Sequence, residues 1–251
     1  MPIDPELMLE RTVLIAAPRD SVFRYFSDSR RFAAWWGEGS HIDAKPGGVV
    51  HIVYPNRAIA SGVVVEVNAP ERIVFTYGYE DPTKPIPPGG SRVTITLKSV
   101  ADGTLVCLTH DLLPDTATRD MHVPGWRFQL SLFANVVANE QHAGVAQRID
   151  AWYAAWNGGA ALAESSVTPD VSVRDAYACV SGINELAQHI AASRMHMPLT
   201  LARAGEPRHC QGMALCDWTA SSADGVVRAR GCNVFELAHD GRIQRVTGFW
   251  A

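Results

Sequence analysis

Four apolar residues spaced along one face of a helix constrain the fold of this sequence most strongly. Trp126, Leu130, Phe133 and Val137 lie at positions i, i+4, i+7 and i+11, which is typical of an amphipathic α-helix. Pro124 is predicted to open this helix, because its missing N–H does no harm in the first helical turn. An apolar stripe of this kind must be covered by another element, so the helix has to pack against a second layer.

The residues before this helix alternate between apolar and polar, which predicts β-strands. The apolar positions of these runs are Val50, Ile52 and Tyr54; Val63, Val65 and Val67; Ile73, Phe75 and Tyr77; Val93, Ile95 and Leu97; and Val106, Leu108 and His110. A strand over 10–16 and two short helices precede them, and Asp102-Gly103 favours a hairpin between the last two runs. This order predicts an antiparallel sheet whose concave face receives the long helix.

The second half of the chain has a different order of elements, so the chain is not a repeat. A helix carries Val145, Ile149, Trp152, Tyr153 and Trp156 on its apolar positions. The elements predicted after it are a strand near 170–175, a helix over 183–193, and strands over about 199–209, 211–220, 226–237 and 242–250. We therefore expect an α+β fold with two domains, 1–142 and 143–251.

Charge and cysteine content exclude several classes of function. The formal net charge is −4 and no run of Lys and Arg reaches five residues, so no nucleic-acid partner is expected. The five cysteines are odd in number and no two are separated by only two residues, which argues against a disulfide framework and a zinc knuckle. Neither His122 with Asp120 nor His196 supplies the ligands of a metal site. No metal and no cofactor are expected.

The hydropathy of the chain gives no indication of a membrane protein. No apolar stretch approaches the roughly 18 residues that a membrane span needs. The first six residues are acidic and contain two prolines, which is unlike a signal peptide. We expect a cytoplasmic protein with no membrane partner.

Motifs in the first half carry a family resemblance. They are Ala17 to Phe23, Trp35-Trp36-Gly37, Pro46-Gly47-Gly48, Gly62 to Val67, Pro70 to Thr76, Gly103 to His110, and Gly125-Trp126. Over about residues 9–140 the chain resembles the SRPBCC superfamily, and within it the bacterial homologues of the activator of the heat-shock protein 90 ATPase. The resemblance implies a helix-grip (START-like) fold with an apolar ligand pocket, and it specifies no chemistry.

Motifs in the second half carry a different resemblance. They are Trp152 to Asn157, Asp170 to Asp175, and Gly182 to Leu186. Over about residues 145–251 the chain resembles the SnoaL-like branch of the nuclear transport factor 2-like superfamily, which includes ketosteroid isomerases and polyketide cyclases. The resemblance implies a cone-shaped α+β barrel.

The second resemblance also implies a catalytic set. Ketosteroid isomerases use an Asp base with a Tyr and a protonated Asp as hydrogen-bond donors. By motif alignment the base falls on Asp175, and the donors fall on Trp152 and Asn233. One such donor is worth on the order of 3–4 kcal/mol, so two altered donors argue against efficient steroid isomerisation. The alternative is that Asp175 caps a loop or pairs with an arginine.

Aromatic residues and one histidine are the candidate ligand contacts. In the second half these are Tyr153 and Trp156, and helical spacing equally favours a role in the core. In the first half they are Trp35, Trp36, Trp126 and His110. Packing is the alternative for Trp126, and a hydrogen-bonded buried histidine is the alternative for His110.

Together these features predict a protein that binds a small apolar ligand, polycyclic or polyketide-like, with isomerase, cyclase or dehydratase activity at Asp175. The alternative is a co-chaperone-like or other regulatory interaction protein without catalysis. The second resemblance adds the expectation of a homodimer formed through the sheet of the C-terminal domain.

Overall fold

The computed structural model describes residues 4–159, 162 and 164–251. It divides into two compact units, Met1–Val137 and Ala138–Ala251. Within the described residues there are five α-helices, and each unit contains one sheet of seven strands. The α+β class predicted from the sequence is therefore confirmed.

The N-terminal sheet is antiparallel throughout, in the order β1-β7-β6-β5-β4-β3-β2. Its strands are β1 (Leu9–Ile15), β2 (His41–Ile42), β3 (Val49–Val53), β4 (Ile59–Asn68), β5 (Arg72–Tyr77), β6 (Ser91–Val100) and β7 (Gly103–Asp111). The hairpin at Asp102-Gly103 joins β6 to β7 as predicted. The first strand pairs with the last strand, β7, so the sheet is completed by residues far apart in sequence.

Two short helices lie between β1 and β2. They are α1 (Arg19–Ser27) and α2 (Ser29–Trp36), and Asp28 separates them. The Asp28 carboxylate accepts a hydrogen bond from the backbone N–H of Arg31 at 2.9 Å, which caps α2 at its N-terminus.

The long helix α3 (Thr116–Gln141) begins eight residues before Pro124, which lies inside it. The prediction that Pro124 opens the helix was therefore wrong. The start is fixed by Asp115, whose carboxylate accepts the backbone N–H of Thr118 at 2.7 Å. The predicted apolar stripe is confirmed, since Trp126, Leu130, Phe133 and Val137 are all buried in the core of this unit.

The C-terminal sheet is mixed, in the order β10-β12-β13-β14-β8-β9, with β11 paired to β12. Its strands are β8 (Val167–Arg174), β9 (Cys179–Ser181), β10 (Thr200–Arg203), β11 (Arg208–Cys210), β12 (Met213–Ser221), β13 (Val227–Leu237) and β14 (Ile243–Trp250). Only the pairing of β14 with β8 is parallel among the described strands.

The long strand predicted over 199–209 is two short strands, β10 and β11. Both pair with β12, but residues 204–207 leave the ladder between them. Gly205 has a φ of 94°, a conformation that glycine adopts readily, and Pro207 has no N–H to donate to a neighbouring strand.

Two helices, α4 (Val145–Trp156) and α5 (Ile183–His196), contribute to the core of the C-terminal unit. Helix α4 buries Ile149, Trp152 and Tyr153. The side chain of Asn157, just after α4, pairs with both backbone groups of Leu201 at 2.8 Å each. The amide thus makes the two hydrogen bonds that a neighbouring strand would make, and it links the end of α4 to β10.

Candidate functional site

The N-terminal unit contains a cavity of about 250 Å³. Five aromatic side chains line it: Trp36, Tyr54, Tyr77, Tyr79 and Trp126. The remaining lining residues are His122 and Gln129, which are buried, the half-buried Ala58, and Asn56, Lys84, Met121 and Gly125, which are exposed and form the mouth.

Strand alternation and helical spacing bring these rings together. Tyr77 follows Ile73 and Phe75 on the buried face of β5, and Tyr54 continues the buried face of β3. His122 and Trp126 are one turn apart on α3, so they present neighbouring side chains. Trp36 is the last residue of α2. The cavity therefore lies where two strands end against two helices.

His122 is held in one tautomer by its two hydrogen bonds. Its Nδ1 lies 2.8 Å from the carbonyl oxygen of Thr118, which can only accept, so Nδ1 carries the proton. Nε2 is then an acceptor, and the Tyr79 hydroxyl at 3.2 Å donates to it. Burial lowers the pKa of His122, which keeps the ring neutral at pH 7.

Two further tyrosines form a pair at the cavity. The hydroxyl oxygens of Tyr54 and Tyr77 lie 2.6 Å apart, and either one can donate. Burial raises the pKa of Tyr54 and of Tyr77, so both stay protonated at neutral pH. The hydroxyl of Tyr77 also interacts with that of Tyr79, so the three tyrosine hydroxyls form one cluster in the cavity wall.

His110, a predicted ligand contact, lies behind the cavity wall and is fully buried. Its Nδ1 accepts the indole N–H of Trp126 at 3.0 Å, so its proton is on Nε2, which donates to Ser91 Oγ at 2.7 Å. Ser91 in turn donates to the carbonyl of Tyr77 at 2.8 Å. Burial, with a smaller contribution from His122, lowers the pKa of His110 to about 3. The histidine joins β6, β7 and α3 in a neutral hydrogen-bond chain.

The two predicted tryptophans of α2 occupy different places. Trp36 lines the cavity, whereas Trp35 is stacked behind it with ring centroids 4.4 Å apart. The Trp35 indole N–H donates to the carbonyl of Tyr25 at 3.4 Å, and its own carbonyl accepts from Gln129. The indole Nε1 of Trp36 is buried and has no hydrogen-bond partner among the described residues.

In the C-terminal unit the predicted catalytic and ligand residues meet at one small hollow. Asp175, Trp152, Asn233, Tyr153 and Trp156 all line a space of about 30 Å³. A second hollow of about 40 Å³ also borders Asp175 and Trp156. A water needs on the order of 10–15 Å³ of such space, so each hollow has room for a few waters at most.

Asn233 is the centre of a hydrogen-bond chain in this hollow. Its Oδ1 accepts the indole N–H of Trp218 at 3.1 Å, and its Nδ2 donates to the hydroxyl oxygen of Tyr153 at 3.2 Å. Burial raises the pKa of Tyr153, so its hydroxyl stays protonated at neutral pH. The same hydroxyl also forms a hydrogen bond with the thiol of Cys216.

Asp175 caps the turn that follows β8. Its Oδ1 accepts the backbone N–H groups of Tyr177 and Ala178, both at 2.7 Å. Gly248 lies opposite, and a Cβ there would stand 2.9 Å from both Asp175 Cβ and Asn233 Oδ1. The absence of a side chain at Gly248 therefore allows Asp175 and Asn233 to approach each other.

Several lining residues were not among those predicted as site residues. Tyr54, Tyr77, Tyr79 and Gln129 in the first cavity were missed, as were Trp218 and Trp250 in the second hollow. Strand alternation had placed Tyr54 and Tyr77 on the inner face, and His122 precedes Trp126 by one helical turn. These patterns carry the signal, but they predict an inward position equally well for a packed side chain and for one that borders a cavity.

Among the described residues, no group of three His, Cys, Asp or Glu side chains lies close enough together to hold a metal ion.

In the described part of the chain, no helix combines the length and the apolar character that crossing a membrane requires.

Comparison with known proteins gives matches to solved structures, each covering about half of this chain. A proposed isomerase of the SnoaL-like family from Agrobacterium tumefaciens is 27% identical, with 45% of this chain and 98% of that chain covered and a TM-score of 0.39. An AHSA1-like protein from Rhizobium etli is 30% identical, with 52% and 81% covered and a TM-score of 0.43. A protein from Chromobacterium violaceum is 24% identical, with 53% and 97% covered and a TM-score of 0.44.

No curated protein matches the chain. The family model described as Activator of Hsp90 ATPase homolog 1-like protein matches residues 16–138. This range contains α1, α2, all strands from β2 to β7, and every residue that lines the first cavity. The match to this family therefore covers residues 16–138, slightly less than half of the chain.

Proposed function

We propose that the N-terminal unit binds a small, largely apolar ligand of one or two rings. The observation that carries this proposal is the cavity of about 250 Å³ lined by five aromatic side chains. An apolar cavity of roughly 150 Å³ is enough to hold benzene, so the larger space fits one or two fused rings.

The polar groups of the cavity support a ligand pocket rather than a packing defect. Protein cores contain few voids larger than a water molecule. Ligand pockets combine apolar walls with a few placed polar groups, and here these are the Tyr54–Tyr77 pair, the Tyr79–His122 pair and Gln129. The co-chaperone-like function remains the alternative from the sequence, and an aromatic cavity that opens to solvent favours ligand binding over it.

A thermal-shift screen with mono- and bicyclic aromatic compounds tests the proposal, because a ligand of the native state raises the melting temperature. Gly125 lines the cavity, and a Cβ there meets no atom within 4 Å. We expect Gly125→Leu to fill this space and abolish the shift, whereas the matched control Gly125→Ala retains it. A shift that is equal in Gly125→Leu and the wild type would contradict ligand binding in this cavity, as would the absence of any hit.

We also propose a second function for the C-terminal unit, acid–base catalysis within a nuclear transport factor 2-like fold of the SnoaL-like branch. The convergence of Asp175, Trp152 and Asn233 on one hollow favours it. The free Oδ2 of Asp175 would remove a proton next to a carbonyl group. The hydroxyl of Tyr153, which the motif alignment did not place at the site, would leave its contact with Cys216 and donate to the resulting oxyanion.

The small volume of this hollow sets a condition on catalysis. With about 30 Å³ of space, a substrate must displace side chains such as Trp156 or Trp250 to reach Asp175. Exchange of α-protons of cyclic ketones in deuterated water, followed by NMR, measures the activity. General base removal lowers rates by about 10²–10⁴-fold, so Asp175→Asn should lose exchange while the exposed Asp170→Asn retains it. Equal rates in the two variants would exclude Asp175 as the base.

A further inference from the structure

We propose that the ligand of the N-terminal cavity is an anion, namely a planar aromatic compound of one or two rings that bears a carboxylate. This inference rests on the proposed ligand-binding function of the same cavity and names the chemical class of the ligand. The ring would lie among the aromatic side chains, and the carboxylate would lie at the mouth beside Lys84.

The charge of the cavity points to an anion. Among the lining residues that the structure describes, Lys84 alone has a basic side chain that can carry a full charge, and none is an Asp or a Glu. Lys84 makes no ion pair within the described residues. The nearby carboxylate of Asp81 is instead bound by Thr83, through its backbone N–H at 2.9 Å and its hydroxyl at 2.7 Å. The charge of Lys84 is a minor cause of the lowered pKa of Asp81, but its ammonium group makes no ion pair with that carboxylate and can reach a ligand.

The tyrosine hydroxyls of the wall add no negative charge. Burial keeps Tyr54 and Tyr77 protonated, and Tyr79 donates a hydrogen bond to the neutral ring of His122. The wall therefore carries no charge that would oppose a carboxylate.

Aromatic rings also attract cations, which is an argument for a ligand of the opposite charge. Tryptophan and tyrosine faces bind quaternary ammonium groups through their quadrupoles. Such an aromatic cage binds a cation well only where no positively charged side chain lies close enough to repel it. Here Lys84 is the charged side chain of the lining, and the described lining residues include no carboxylate. The lining charge therefore favours the carboxylate over the cation.

The position of Lys84 is fixed by its loop. Ile86 is completely buried, and its carbonyl accepts the backbone N–H of Tyr79 at 2.8 Å. Gly78 packs so closely on the same loop that a Cβ there would overlap the carbonyl oxygen of Pro87 at 1.7 Å. The backbone N–H of Lys84 donates to the carbonyl of Asp81 at 3.0 Å. The loop thus holds Lys84 at the mouth.

Three naphthalene probes of matched size test the inference by calorimetry at low salt. They are 2-naphthoate, the neutral 2-acetylnaphthalene and the cationic 2-naphthylmethylammonium. We expect 2-naphthoate to bind most tightly and to weaken as salt is added. Exposed ion pairs contribute up to about 1 kcal/mol, so Lys84→Met should weaken naphthoate binding about threefold to fivefold and leave the ketone unchanged. The exposed Lys98, which does not line the cavity, supplies the control Lys98→Met, with no expected effect.

The outcomes separate a failure of the anion inference from a failure of the proposed ligand-binding function. If the ketone or the ammonium compound binds as tightly as naphthoate, or if Lys84→Met binds naphthoate like the wild type, the anion inference is wrong while the cavity remains a ligand site. If none of the three probes binds to the wild type, and a wider aromatic screen gives no shift, both the inference and the proposed function are overturned.

Discussion

The two units of this chain place a helix tryptophan against a seven-stranded sheet but leave very different amounts of space beside it. In the N-terminal unit, α3 contributes Trp126 and the adjoining cavity is about 250 Å³. In the C-terminal unit, α4 contributes Trp152 and the adjoining hollow is about 30 Å³. The same combination of helix and sheet thus gives an open pocket in the N-terminal unit and a nearly filled core in the C-terminal unit.

The residues at the strand ends account for the difference. In the N-terminal unit they are tyrosines, whose hydroxyls are engaged with each other or with His122. In the C-terminal unit, Trp218 and Trp250 lie with ring centroids 4.7 Å apart and occupy the corresponding space. An amphipathic helix on a sheet therefore defines where a pocket can form, and a few side chains decide whether it does.

Truncation of one tryptophan in each unit should give the largest effect. Trp152 is almost completely buried and packs against Trp156 and Phe235, so Trp152→Ala should lower the free energy of unfolding by about 3–5 kcal/mol. Trp36 is equally buried but borders the cavity, where it has no partner atoms on one side. We expect Trp36→Ala to be less destabilising. Urea unfolding measures both, and equal losses would contradict the contrast in packing.

Acidification should give an intermediate effect that originates in the N-terminal unit. Unfolded His110 has a pKa near 6.5, whereas in the fold its pKa is about 3. The unfolded state therefore binds more protons between these values, so this stability is complete above pH 6.5 and falls as the pH decreases. At pH 5 the free energy of unfolding should be about 2 kcal/mol lower than at pH 7.5. His122, whose pKa is also lowered, acts in the same direction.

Urea titrations at pH 7.5, 6 and 5 measure this dependence. The variant His110→Gln has no group that titrates in this range at that position, so its stability should change less with pH than that of the wild type. Equal pH dependence in the variant and the wild type would show that His110 is not the source.

Removal of the central amide in the C-terminal hollow should give the smallest effect. Asn233→Leu leaves the Trp218 indole N–H without its acceptor and removes the donor to Tyr153. We expect a loss of about 1–2 kcal/mol in the free energy of unfolding. Tyr153→Phe breaks one of the two bonds and should be milder. If Asn233→Leu unfolds at the same urea concentration as the wild type, the hydrogen-bond chain does not stabilise this core.

The sequence predicted correctly those features that show as apolar residues recurring at regular intervals along the chain. The stripe of α3 and the inner strand faces were correct because each apolar position recurs with the period of its element. The start of α3 was missed because a single capping residue, Asp115, outweighed the signal of Pro124. The break between β10 and β11 was missed for a similar reason, since it depends on Gly205 and Pro207 alone.

The site was less predictable than the fold, because no residue type or spacing in the sequence indicates where a cavity will form. Tyr54 and Tyr77 follow the same alternation as Ile52 and Phe75, and no local pattern shows that their rings border a cavity. In the second half, the motifs placed Asp175 and Asn233 near each other, but they did not show that Trp218 lies beside them. Whether a pocket is open depends on contacts between distant segments.

The buried Ile86 determines how quickly a ligand can exchange with solvent. Because this side chain and the Tyr79–Ile86 hydrogen bond tie the loop to the sheet, we expect the mouth of the cavity to keep its width without a loop opening. A ligand then passes only the side chains of Lys84 and Met121, which are exposed and rotate within nanoseconds. The residence time of a bound molecule should therefore reflect its affinity alone, and tight ligands should associate without a slow conformational phase.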